Sequence, residues 1–208
     1  DPGVAGHQKM SFSYRGEEIL FEIPFAAPYQ LMNAALAIRA LEVSGLPVAP
    51  EQAAEGVKKA KWPARMEEIS TGVNLDGAHN ADGIRAFLDA ACRLKELRKP
   101  DHVRILFAVS ADNDHQRMLR EIAERLKPDL WILSKMESHR TLSVEDLEAA
   151  AEKLRAEYGE ETEYRVSRDV KHAVKELLGL HGERDLSLIA GSLYLAGEVK
   201  EQISKSTS

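Results

Sequence analysis

Residues 73–81 read V-N-L-D-G-A-H-N-A, and the chain runs straight on into Asp82-Gly83-Ile84-Arg85-Ala86-Phe87. A short apolar run stops at Asp76, a Gly-Ala step follows, then His79 and Asn80, and a helical pattern begins. This is the pattern of a strand, a tight loop and a helix. Open α/β sheets gather ligands at the carboxyl ends of their strands, with a helix N-terminus behind the loop. Asp76, His79 and Asn80 are therefore the first site candidates. The same residues also have plain structural uses: Asp or Asn before a helix serves as an N-cap, Gly supplies turn geometry, and a loop His is commonly solvated.

Outward from this stretch, strand and helix patterns alternate to the end of the chain. Met66–Ser70 and Val73–Leu75 predict strands and Asp82–Leu97 a helix; Val103–Val109 a strand and Gln116–Leu126 a helix. Leu130–Leu133 predicts a strand and Val144–Tyr158 a helix, with Leu142 and Ser143 as staple and cap. Glu163–Val166, Asp169–Leu178, Leu186–Ala190 and Ser192–Ile203 continue the series as strand, helix, strand and helix, before a K-S-T-S end expected to be frayed and disordered. Alternation with short loops implies an α/β fold: a Rossmann-like, mostly parallel sheet with helices on both faces.

The residues before Lys61 follow another pattern. Lys9–Tyr14 and Glu18–Ile23 alternate around Arg15-Gly16, as a β-hairpin does. Pro24 and Pro28 break the chain, and Tyr29–Val43 is so rich in apolar helix formers that a largely buried helix is expected, closed by Ser44-Gly45 and Pro47. Polar Asn33 stands out near its start. Pro50–Lys59 opens with Pro and acids, as a first helical turn should, and Lys61-Trp62-Pro63-Ala64-Arg65 ends it. The expected division is thus 1–61 and 62–208.

Composition narrows the function classes. The 208 residues suit one full domain with a smaller part, or two small domains, and can bury a real core. A net charge of −6 argues against nucleic acid as the main partner. Cys92 is the single cysteine, which excludes an internal disulfide and a cysteine-based zinc site; within a helical pattern it reads as a small buried hydrophobe. No apolar run approaches the ~20 residues of a membrane span, and D-P-G-V-A-G-H-Q lacks the layout of a signal peptide. A cytoplasmic protein with no membrane partner is expected.

Four more features join the opening loop. These are Gln30 with Asn33, then Trp62-Pro63-Ala64-Arg65-Met66-Glu67, then Asp112-Asn113-Asp114 beyond the Val103 strand, and Gly191-Ser192-Leu193-Tyr194-Leu195 beyond the last strand. In order, Q-x-x-N-A-A-L-A, W-P-x-R-x-E, L-D-G-A-H-N, D-x-D and G-S-L-Y-L-x-G-E-V resemble the latter part of the folylpolyglutamate synthase and dihydrofolate synthase branch of the Mur ligase family. The likeness covers nearly the whole chain.

The resemblance implies a ligase that activates a folate carboxylate with ATP to an acyl phosphate, which the amine of glutamate then attacks. It implies that Asn33 contacts adenine and that Arg65 reaches the phosphates or ribose. Asp76 and His79 would position nucleotide and glutamate, and Ser192 would bind the incoming glutamate. Elementary chemistry agrees: Arg's planar fork suits phosphate, and a helix N-terminus with a Ser hydroxyl suits a carboxylate. Singly, Arg65 also reads as a boundary salt bridge, Asn33 as a helix-end hydrogen bonder and Ser192 as an N-cap. Asp112-Asn113-Asp114 reads as loop and helix cap, not as a metal site.

Three positions depart from the family pattern: Tyr29 where His is common, Ala64 where Gly is usual, and Ala81 where Pro usually follows Asn. Each is read as mild variation. Neither the G-x-x-x-x-G-K-[ST] phosphate loop nor the magnesium-binding acids and folate pocket of the family occur in the 208 residues. Residues 1–61 thus resemble the tail of the central ATP-binding domain, with a surface that in the family packs on further strands, and 62–208 resemble the carboxyl-terminal domain. Magnesium would be held by the N-terminal P-loop domain, and the 208 residues alone would be inactive. A free-standing α/β module that binds a nucleotide or an amino acid without catalysis is the competing reading. Asp76→Ala and His79→Ala are expected to cut turnover while changing stability little.

Overall fold

The computed structural model describes residues 8–25, 27, 29–138, 141–159 and 161–206. Pro28, residues 1–7 and Thr207-Ser208 lie outside the described residues. The chain divides into two compact units, residues 1–63 and 64–208.

In the first unit, strands β1 (Gln8–Tyr14) and β2 (Glu17–Ile23) pair antiparallel with Tyr14 opposite Glu17. The two-residue turn needs positive φ twice, and Arg15 (φ 53°) and Gly16 (φ 85°) supply it. The alternation puts Met10, Phe12 and Tyr14 on one face, against helices α1 (Tyr29–Val43) and α2 (Pro50–Lys58), where Tyr14, Phe21, Ile38 and Ala53 form a small core. The Tyr14 hydroxyl donates to the Val48 carbonyl at 3.0 Å. Helix α1 has the expected limits, but it is not largely buried. Only Gln30 and Ile38 are buried along it, while Met32, Leu36 and Val43 are 65%, 61% and 79% exposed. The two-stranded hairpin packs on α1 and leaves much of it exposed; its all-round apolar composition misled the expectation.

The second unit holds a six-stranded sheet in the order β3-β4-β8-β5-β6-β7. The strands are β3 (Glu67–Ser70), β4 (Val73–Leu75), β5 (Val103–Phe107), β6 (Leu130–Ser134), β7 (Glu163–Ser167) and β8 (Leu186–Ala190). All neighbours are parallel except β3, which turns back on β4 through Thr71-Gly72. Helices lie on both sides of the sheet. Helices α3 (Ala81–Arg98), α4 (His115–Leu126) and α5 (Val144–Tyr158) pack in succession, and α6 (Val170–Leu180) packs beside α7 (Leu193–Ser206). Val73, Leu75, Leu106, Ile132 and Ile189 meet Val170, Val174, Leu195 and Val199 in one buried core. The mostly parallel α/β fold read from the sequence is borne out. Helix α7 takes in Lys205 and Ser206 of the end expected to fray.

Local chemistry fixes the helix starts. Asn80, Asp114, Ser143 and Asp169 accept backbone N–H groups of the first turns of α3, α4, α5 and α6, each cap being worth about 1 kcal/mol. Asp114 is thus a cap, as its sequence context suggested. Cys92 on α3 is half-buried, not fully buried. Its thiol donates to the Arg125 carbonyl at 3.6 Å, and burial pushes it up from its ordinary value, away from the thiolate a nucleophile needs.

Candidate functional site

Strands β4, β8 and β5 are neighbours, so the loops that leave their carboxyl ends lie side by side. Backbone bonds join the first two: Asp76 N–H donates to the Ile189 carbonyl at 2.8 Å, and Gly191 N–H to the Ala78 carbonyl at 2.9 Å. Gly191 has φ 122°, and a Cβ there would run into the Ala108 carbonyl at the end of β5. Only glycine lets the β8 loop pass this close to its neighbour.

Asp76 is 3% exposed, and both carboxylate oxygens are engaged by backbone: Oδ2 accepts Met66 N–H at 2.9 Å and Oδ1 accepts Ala78 N–H at 2.8 Å. Burial pushes its carboxyl up from the ordinary value, against the opposing pull of those two N–H groups and the nearby Arg65 charge. The expectation of a loop residue with few partners to lose is wrong for Asp76. It is a buried bracket that ties the end of β4 to the segment entering β3, and its removal must cost stability.

His79 is half-buried, with Nδ1 2.9 Å from the Gly77 carbonyl. A carbonyl only accepts, so Nδ1 carries the proton of the neutral ring and Nε2 offers its lone pair. No described residue bonds Nε2. Asn80 differs: its Oδ1 caps α3, accepting Gly83 N–H at 2.8 Å.

Arg65 is half-buried between two residues in the left-handed region, Ala64 (φ 54°) and Met66 (φ 48°). Its Nη1 donates to the Ala64 carbonyl at 3.2 Å, and that carbonyl also accepts Gly77 N–H at 2.9 Å. Arg65 therefore sits directly beside the Asp76–His79 loop. Among the described residues its guanidinium makes no ion pair, so the boundary salt bridge is not seen. The Ala64 departure is also less mild than it read, because its backbone takes a conformation that favours glycine.

Ser192 is buried at the start of α7, where its Oγ accepts Tyr194 N–H at 3.1 Å. The cap leaves the hydroxyl proton free to be donated. Asp76, His79, Arg65 and Ser192 are thus gathered at adjoining strand ends. Asn33 belongs to the other unit, where its Nδ2 donates to Gln30 Oε1 at 2.9 Å; Gln30 is buried and its Nε2 has no partner among the described residues. Glu67, singled out in the sequence without a role, accepts Ala64 N–H at 2.8 Å on its carboxylate, and the residue missed is Lys200, 2.8 Å from both Glu67 oxygens. The i,i+3 spacing of Ala64 and Glu67 hinted at the first bond; nothing in the sequence signalled a partner 133 residues away. Among the described residues no group of three or more His, Cys, Asp or Glu side chains could hold a metal ion, and no helix is long and apolar enough to cross a membrane.

Residues 64–193 match the family described as Mur ligase, glutamate ligase domain, and the chain belongs to that family. It is 26% identical over 208 residues to the dihydrofolate synthase/folylpolyglutamate synthase of Bacillus subtilis, covering 96% of this chain and 45% of that one. It is 34% identical to the folylpolyglutamate synthase of Lacticaseibacillus casei over 103 residues, covering 47% and 23% of the two chains. The structure of E. coli FolC in complex with DHPP and ADP superposes with a TM-score of 0.75 at 25% identity, covering 99% of this chain and 47% of that one. The chain thus spans less than half the length of these relatives, and the likeness is to their carboxyl-terminal part.

Proposed function

We propose that these residues form the carboxyl-terminal portion of an ATP-dependent ligase that joins glutamate to folate by an amide bond. Residues 1–61 are read as the tail of the central ATP-binding domain and 62–208 as the carboxyl-terminal α/β domain. The observation that carries the proposal is Arg65, held beside the Asp76–His79 loop with its charge unpaired among the described residues. A guanidinium kept in place yet making no ion pair among the described residues suits a ligand with phosphate groups.

In this reading a folate carboxylate oxygen attacks the terminal phosphorus of ATP, ADP leaves, and an acyl phosphate forms. The glutamate amine then attacks the acyl carbon and phosphate leaves. Arg65 offsets phosphate charge, and Asn33, bonded to Gln30 whose amide nitrogen has no partner among the described residues, meets the adenine edge. Asp76 keeps the loop in place, His79 presents Nε2 to the incoming glutamate, and the Ser192 hydroxyl with the α7 N-terminus receives a glutamate carboxylate. Magnesium finds no fit among the described residues and is assigned to the N-terminal P-loop domain of the full protein. Cytoplasmic residence, with no membrane or nucleic-acid partner, belongs to the same reading.

The test is steady-state ADP release dependent on both folate and glutamate. The complete gene product should turn over, and the 208-residue polypeptide alone should not exceed a no-protein control. Nucleotide or amino-acid binding by the complete product without turnover would favour the non-catalytic module instead.

A further inference from the structure

What holds Arg65 in place lies partly outside the residues assigned to ligands. The backbone on both sides of it, at Ala64 and Met66, is left-handed, a conformation side-chain-bearing residues keep only where their surroundings enforce it. Both are buried, at 4% exposure each. Met66 is fixed by its N–H on Asp76. Ala64 is fixed on both polar groups: its carbonyl accepts Gly77 N–H and Arg65 Nη1, and its N–H donates to Glu67 Oε2 at 2.8 Å. The Ala64 latch thus depends on where the Glu67 carboxylate sits.

That carboxylate is two residues from Arg65 and would itself be a natural ion-pair partner for it. Its partner is instead Lys200 of α7, which stands 2.8 Å from both oxygens. The pair is only partly exposed, with side-chain exposures of 39% for Lys200 and 32% for Glu67. One cation is spent on Glu67 so that another stays available.

We propose that Glu67 and Lys200 are a positioning pair: they fix Ala64, keep the Glu67 charge off Arg65, and so direct the Arg65 guanidinium toward an anionic phosphate group. The inference rests on the reading of Arg65 as the phosphate-binding residue. Neither member of the pair touches substrate; both act through Arg65.

Two measurements on Lys200→Met, Lys200→Arg and Arg65→Ala test it. The first is the order of the Arg65 Nε–H bond by ¹⁵N relaxation in the 208-residue chain, which needs no ligand. Order should fall in Lys200→Met and be retained in Lys200→Arg. The second is steady-state kinetics of the complete gene product. Lys200→Met should raise the KM for ATP roughly threefold to thirtyfold, the scale of a misdirected binding group, with kcat and the KM for glutamate within about twofold. Lys200→Arg should restore the KM for ATP. Unchanged Arg65 order in Lys200→Met overturns the pair, as does an unchanged KM for ATP in that variant where Arg65→Ala raises it. If Arg65→Ala leaves the KM for ATP unchanged, the phosphate reading fails, and the relaxation result alone decides whether the pair holds Arg65.

Discussion

The two ends of the six-stranded sheet carry the same kinds of side chain and use them in opposite ways. At the amino ends of the strands, Asp185 accepts Gly182 N–H at 2.6 Å and pairs with Arg104, the second residue of β5. His181 places Nε2 2.9 Å from the Thr71 carbonyl and Nδ1 2.9 Å from the Ser187 hydroxyl. The carbonyl takes the ring proton and the hydroxyl donates to the other nitrogen, so the imidazole is satisfied on both sides. At the carboxyl ends an aspartate, an arginine and a histidine recur, but only the aspartate is saturated. Arg65 reaches one backbone carbonyl, and His79 uses one nitrogen. A closed polar network holds a fold together; an open one, carried on left-handed backbone, has capacity left for a ligand.

This contrast makes forecasts that descend in size. Asp185→Ala strands the Arg104 charge at a site where the two side chains are 6% and 13% exposed, and should cost about 3–5 kcal/mol in urea unfolding. Burial pushes the Asp185 carboxyl up, but the Gly182 N–H and Arg104 outweigh it and hold the group below its ordinary 3.8. Its contribution is therefore complete above pH 3.8 and is lost as pH falls through the lowered folded value. Unfolding of wild type and variant should converge in acid, and a gap that persists there would contradict the closed network.

Asp76→Ala leaves the Met66 and Ala78 N–H groups without their acceptor and should cost about 2–4 kcal/mol by thermal or urea unfolding. Here the pH slope has the opposite sign. The folded carboxyl holds its proton more tightly than the unfolded one, so the wild-type advantage should shrink as pH rises from 3.8 through the raised folded value. Parallel slopes for the two aspartates would remove the distinction between the two ends. Smaller and of the other sign, Ala64→Gly should stabilise by about 0.5–1 kcal/mol, since glycine takes φ 54° without the Cβ penalty. A loss of stability in that variant would mean that the left-handed turn at Ala64 carries no strain.

Much of this is legible in the sequence. Ser44-Gly45 behind Tyr29–Val43, and Ser143 before Val144–Tyr158, marked the limits of α1 and α5 as found, because caps and breakers are local chemistry. The strand-end loops were legible because an apolar run that stops at Asp76, or at Ala190 before Gly191-Ser192, is itself a local pattern. What could not be read are the facts created by distant partners. The exposed side of α1 depends on what packs against it, and an apolar helix looks the same whether one face or both are covered. The Lys200–Glu67 pair joins α7 to the start of β3, and the same Glu67 carboxylate accepts the N–H of Ala64 in its left-handed turn. Asp76 stands out in the sequence as a strand-end acid, but the Met66 and Ala78 N–H groups that fill its carboxylate, and so make it a bracket, do not.

Arg65→Ala, measured for melting temperature and for turnover in the complete gene product, bears most directly on the claim that the open end of the sheet is the working end. No buried partner is orphaned by the change, so stability should move by no more than about 0.5 kcal/mol, while turnover at subsaturating ATP should fall roughly tenfold to a thousandfold. A lowered melting temperature with turnover near that of the wild type would make Arg65 a structural residue and contradict the assignment.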